Sequence, residues 1–149
     1  MPGRTVPSPR RVRATAYADG SALSRYLPGA PERRAWTAWA APREAGLAVS
    51  VVSLVELRVT GALLGHDARV AALEAELRLG AVRLSDRAVE HAALLLDRLP
   101  PFAALHVGAT RAEPGVRVLA TYDGRTAAVA AELGLAVVTP GRPDGWWAS

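Results

Sequence analysis

Cysteine is absent from the 149 residues, which excludes disulfide scaffolds, thiolate-built zinc sites and cysteine nucleophiles. Lysine, isoleucine, asparagine and glutamine are missing as well. All 18 basic residues are therefore arginine, and with alanine in great excess this reports a GC-rich coding sequence before it reports function. No apolar run approaches the ~20 residues that a membrane-spanning helix needs. The most apolar stretch, Leu47 to Val55, is short and interrupted by Ser50 and Ser53. The amino-terminal segment leads into no hydrophobic run, so no secretory signal is read there and a cytoplasmic protein is expected. No G-x-G-x-x-G follows any strand-like run, which removes the usual dinucleotide-binding turn.

What is present fits one domain, since typical domains run roughly 100 to 200 residues. Half the residues are apolar and 21% are charged, the balance of an ordinary globular chain. The net charge of +4 favours polyanion partners, because the planar arginine fork matches phosphate. Residues 1–12 carry three prolines and three arginines without apolar periodicity and read as a flexible basic arm. A domain follows over 13–141, and 142–149 reads as a disordered tail holding Trp146 and Trp147.

Within the domain, strand-like and helix-like segments alternate. The pattern predicts a strand from Arg13 to Ala18, a helix from Ser21 to Leu27, and a second helix opened at Pro31-Glu32 and closed by Pro42. Leu47 to Ser53 reads as a strand buried on both faces, and two helical stretches follow, to Leu64 and then from Asp67 to Gly80. A short strand from Ala81 to Leu84 leads to Ser85-Asp86, a good helix cap, and Pro100-Pro101 ends that helix and opens the next. Val116 to Thr121 reads as a strand, Asp123 to Leu133 as a helix and Leu135 to Val138 as a last strand. The expected fold is α/β, a parallel sheet flanked by helices on both faces. In such sheets ligands bind beyond the carboxyl ends of the strands.

Asp19, Glu56 and Asp123 all follow predicted strands. Gathered carboxylates repel one another unless a hard cation neutralises them, and Mg²⁺ or Mn²⁺ suits such oxygens. A site of this kind would serve phosphodiester hydrolysis by a metal-activated water. Read singly, Asp19-Gly20 and Asp123-Gly124 are also ordinary turn residues or helix caps. The tryptophans at 36 and 39 read equally as a partner anchor and as core packing. Arg10, Arg11, Arg13, Arg25, Arg33, Arg34 and Arg43 read as a phosphate-binding rim or as solvated surface charge.

Three segments carry a family resemblance. Ala16-Tyr17-Ala18-Asp19-Gly20-Ser21-Ala22-Leu23 resembles the D-x-S-A-L opening of PIN-domain nucleases, and Ser50-Val51-Val52-Ser53-Leu54-Val55-Glu56-Leu57 resembles their second motif. Ala120 to Ala130, with Thr121, Asp123 and Arg125, is similar to the T-x-D-x-R ending of the family, followed by Thr139-Pro140-Gly141 as in bacterial VapC-type toxins. The resemblance implies a PIN-like domain, an acidic Mg²⁺ or Mn²⁺ site and RNA cleavage. It also implies a small antitoxin partner and a homodimer. Carried onto this chain, Asp19, Glu56 and Asp123 would hold the metal, while Ser21 and Thr121 would be hydrogen-bond donors behind them or local cap hydroxyls.

The resemblance breaks at one position. The family opens a helix with D-A-[LI]-H-[LV]-A, and here the run is Ala103-Ala104-Leu105-His106-Val107-Gly108. Ala103 stands where the third acid belongs, so weaker metal binding and impaired activity are expected. Asp97 is the nearest upstream acid, but Pro100-Pro101 separates it from this helix. His106 lies on nearly the same helix face as Ala103 and reads as a hydrogen-bonded, partly buried histidine ahead of a ligand. The leading functional reading is a metal-dependent ribonuclease toxin with a degenerate site. The alternative is a catalytically inactive PIN-fold module that binds RNA or antitoxin.

Overall fold

The computed structural model describes residues 13–149, so the arm read at 1–12 lies outside the described residues. Five short strands, β1 (Ala16–Ala18), β2 (Leu47–Val49), β3 (Gly80–Ala81), β4 (Val118–Ala120) and β5 (Ala136–Val138), form one sheet in the order β3-β2-β1-β4-β5. Every pairing is parallel. The helices are α1 (Gly20–Leu23), α2 (Arg33–Ala40), α3 (Val51–Leu64), α4 (His66–Arg78), α5 (Asp86–Ala93), α6 (Pro101–Ala112) and α7 (Gly124–Glu132). They cover both faces, which is the α/β architecture expected from the alternating pattern.

Strand alternation divides the core into two layers. Ala16, Ala18, Leu47, Val49 and Ala120 face one layer with Leu23, Leu27, Trp36, Leu57 and Ala75. Tyr17, Ala48 and Leu119 face the other with Ala88, Ala92, Ala104, Val107 and Val129. Trp36 is fully buried, with Tyr26 edge-on at 5.5 Å and Tyr122 at 6.4 Å, so of its two readings the core one holds. Trp39 packs beside it, partly buried, under the Arg43 guanidinium. Among the described residues, no helix is long and apolar enough to cross a membrane.

Several boundaries differ from the sequence reading, each for a local reason. β2 stops at Val49 instead of running to Ser53, because Ser50 is the N-cap of α3 and its N–H donates to Ser53 Oγ at 3.2 Å. A helix start outweighs the strand propensity of Val51 and Val52 there. β3 is only Gly80–Ala81, although Val82 N–H still donates to Val49 O at 2.7 Å. The first helical segment divides into α1 and a 3-10 turn over Ser24–Tyr26. α2 begins at Arg33, two residues late, because Glu32 sits in the left-handed region at φ 54°.

The tail is ordered, which corrects its reading as disordered. Trp146–Ala148 forms a 3-10 turn, Trp146 Nε1–H donates to Thr139 Oγ1 at 2.9 Å, and its ring lies over Gly124. The Arg142 guanidinium stacks on that ring at 4.4 Å. Two large aromatic side chains give eight residues enough area to pack back on the domain.

α5 and α6 meet through small residues. A Cβ built on Gly108 would stand 2.3 Å from Ala88 O and 3.0 Å from Ala92 N, so only glycine permits this approach. Gly108→Ala should force the helices apart and destabilise the domain by about 1–3 kcal/mol, the usual range for overpacking. Urea unfolding measures it; an unchanged midpoint would show that the two helices separate freely.

Candidate functional site

β1 is the strand at which sheet order reverses, with β2 and β3 on one side and β4 and β5 on the other. The crevice beyond the carboxyl ends of β1 and β4 is therefore where an open α/β sheet takes a ligand. Asp19 follows β1 immediately, Thr121, Tyr122 and Asp123 follow β4, and Glu56 lies in the second turn of α3, just beyond β2. A cavity of about 560 Å³, lined by Ala14, Gly46, Leu47 and Gly80, opens at the opposite end of the strands, away from these acids.

Asp19 is buried, only 3% exposed, and caps α1. Its Oδ1 accepts from Ala22 N–H at 3.0 Å and from Ser21 Oγ–H at 2.6 Å, and its Oδ2 accepts from Thr121 Oγ1–H at 2.5 Å. Among the described residues no arginine forms an ion pair with it. Burial pushes its carboxyl above the usual carboxylate range, against the opposing influence of His106 and of the three hydrogen bonds. Ser21 and Thr121 thus both donate to Asp19, and each also accepts from backbone of the loop after β4. Tyr122 N–H donates to Ser21 Oγ at 2.8 Å, and Asp123 N–H to Thr121 Oγ1 at 3.1 Å.

Glu56 lies directly over the Gly20 backbone, where a Cβ would stand 2.3 Å from Glu56 Cβ. Gly20 is thus a packing requirement of the site as well as a turn residue. One Glu56 oxygen is hydrogen-bonded to His106 Nε2, and its side chain remains about one third exposed, 35%. Asp123 is exposed and caps α7, accepting from Thr126 N–H at 2.7 Å. The cap reading of Asp19 and Asp123 is the one seen: each carboxylate caps the helix after its strand, Asp19 buried and Asp123 at the surface. Ala103 sits in the first turn of α6, partly buried against the apolar layer of Ala104 and Val107, and Asp97 is exposed.

A buried polar network extends the site beyond the acids that the sequence singled out. Tyr17, on the opposite side of β1 from Ala18, places its hydroxyl 2.7 Å from Ser50 Oγ, 3.0 Å from Ser53 Oγ and 2.8 Å from His106 Nδ1. Ser53 Oγ–H donates to Ala18 O at 2.9 Å. His106 is 2% exposed, more deeply buried than its motif position implied. The available signal was the pair of serines inside an otherwise apolar run. Buried hydroxyls need partners: Ser50 finds Tyr17, and Ser53 donates to Ala18 O and accepts from Ser50 N–H.

Among the described residues no three of His, Cys, Asp and Glu stand close enough together to form a metal cage. The donors nevertheless suit a hard cation in an open site. Mg²⁺ is commonly held by one or two carboxylates, with waters and substrate phosphate completing its shell, and the buried Asp19 carboxylate lacks a basic partner. On the Tyr122 side the crevice is walled by stacked cations and rings, with Arg25 4.3 Å and Arg142 5.5 Å from the Tyr122 ring centre. Glu32 bridges these two arginines. Burial pushes the Tyr122 hydroxyl up to about 12.

No family model and no curated protein sequence matches this chain. Solved structures do match, among them VapC20 of Mycobacterium tuberculosis, a sarcin-ricin loop cleaving toxin. It is similar with a TM-score of 0.64 at 22% identity, over 85% of this chain and 100% of that one. The fold is that of a PIN domain, an α/β domain built on a parallel sheet.

The raised Asp19 pKa has a defined sign in stability. The native state keeps this proton at pH values where the unfolded chain, near its ordinary 3.8, has released it. The contribution is therefore full below that value and is lost as the pH rises through the native one. Asp19→Asn removes the loss, so the stability of the variant relative to the parent should rise as the pH climbs above the ordinary carboxylate value of 3.8. Urea unfolding at a series of pH values is the measurement, and a pH-independent difference would count against an uncompensated charge at Asp19.

Proposed function

We propose that this chain is a metal-dependent endoribonuclease of the VapC toxin kind, restrained by a small antitoxin protein and working in the cytoplasm. The observation that carries the reading is the buried Asp19 carboxylate, held by three hydrogen bonds at the switch point of a parallel sheet, without a basic partner and beside Glu56. Of Asp19, Glu56 and Asp123, which among the described residues do not form a three-acid cluster, one or two would hold Mg²⁺ or Mn²⁺ directly, with water and substrate phosphate completing its shell. The ion supplies positive charge against the phosphate and activates water for its hydrolysis. Ser21 and Thr121 keep the Asp19 oxygens aimed, and Thr121 ties Asp19 to the Asp123 backbone. The arginine-rich surface favours RNA through phosphate contacts. Ala103 adds no donor, so the ion is held by fewer charges and turnover is reduced.

Exposed apolar side chains support the protein partner. Val55, Val59 and Leu63 on α3 and Leu73 and Leu77 on α4 are each 44% exposed or more, a run of apolar surface that water alone rarely faces. An antitoxin and a second copy of the chain are the two occupants in this reading. A catalytically silent PIN-fold module is the second reading. It is favoured by the apolar setting of Ala103.

Cleavage of total RNA and of a sarcin-ricin loop oligonucleotide, each with Mn²⁺, tests these readings. The parent should cut slowly and Asp19→Asn not at all. Ala103→Asp places a carboxylate in the first turn of α6, where the helix dipole favours it, and should raise the rate about one hundredfold or more. RNA binding without cleavage in both the parent and Ala103→Asp would establish the binding module instead.

A further inference from the structure

We propose that His106 and Tyr17 are positioning residues for Glu56, fixing one of its carboxylate oxygens through a one-way hydrogen-bond chain that runs from Ser50 through Tyr17 and His106. The inference rests on the site reading above, since it assigns Glu56 a ligand's role. Its basis is proton counting within the buried network. An ionised carboxylate only accepts, so His106 must carry its proton on Nε2 and donate it to Glu56 Oε1. With the ring's single proton on Nε2, Nδ1 accepts, and the hydroxyl that reaches it is Tyr17 at 2.8 Å. Ser53 has already given its proton to Ala18 O, so Ser50, at 2.7 Å, donates to Tyr17. Burial, with the nearby Asp19 and Glu56 charges, pushes the Tyr17 hydroxyl well above its ordinary value, which keeps it a donor.

Each link is anchored in a different element. Tyr17 is on β1, Ser50 caps α3, and His106 lies on α6 with its ring centre 5.7 Å from that of Tyr17. The ring is buried, and it holds one Glu56 oxygen by a hydrogen bond. Among the described residues no protein donor reaches the other Glu56 oxygen, Oε2, which is left for a cation. An imidazole N–H orienting a carboxylate inverts the usual arrangement in which a carboxylate orients a metal-bound imidazole, and partners of this kind typically change metal affinity 10- to 100-fold.

Two substitutions separate positioning from packing. Glutamine at 106 can present its amide N–H near the Nε2 position, whereas asparagine reaches only the Nδ1 position and keeps the Tyr17 contact alone. His106→Asn should weaken Mn²⁺ binding by about 10- to 100-fold in titration calorimetry. His106→Gln should lose least and retain more RNA cleavage, with the difference in kcat. Equal losses in the two variants, or a better-retained Asn, would overturn the proposal. In the unsubstituted protein ¹⁵N NMR should show the Nε2–H tautomer of His106, and an Nδ1–H or averaged tautomer would overturn it independently of variant folding. A parent that binds no Mn²⁺ and cuts no RNA overturns the site reading itself. A parent that does both, with the variant order reversed, overturns only this inference.

Discussion

β1 is paired on both edges and covered on both faces, so four consecutive residues each have one permitted direction. Ala16 and Ala18 point into one layer, Tyr17 into the other, and Asp19 stands just past the end of the strand in the crevice between β1 and β4. The alanines are small enough for helices to close over a strand of only three residues. Tyr17 is long enough to cross its layer and reach both the cap of α3 and the ring of His106. One strand therefore places both the buried charge and the network that reaches Glu56, and the rest of the fold follows from covering it.

That placement carries an energetic cost. A carboxylate removed from water without a basic partner opposes folding, and three hydrogen bonds offset only part of the loss. Close packing is met with glycine both at the site, where Gly20 lies under Glu56, and away from it, where Gly108 meets α5. The match to VapC20 supports the fold independently of residue identity, since 22% identity leaves few of the side chains in common.

The helix and strand alternation was legible because burial on both faces imposes continuous apolar runs and burial on one face imposes a 3.6-residue period. Asp19, Glu56 and Asp123 were legible because they follow such runs. The boundary at Ser50 was not: valines that favour a strand also enter a helix once a serine caps it, and the apolar run alone does not distinguish the two. The tail looked disordered because its one proline, one glycine and two charges mask two tryptophans, and Trp146 finds Thr139 and Gly124 only in the folded domain.

By itself the sequence determined the layer architecture and the order of Asp19, Glu56 and Asp123 along the chain, because these depend on residue type and on periodicity along one segment. Only the tertiary structure decided that Asp19 is buried against Thr121, that Tyr17 reaches His106 and that His106 turns toward Glu56. The physical reason is that these are contacts between residues 50, 89 and 102 positions apart, and a hydrogen bond forms only where packing brings donor and acceptor within about 3 Å.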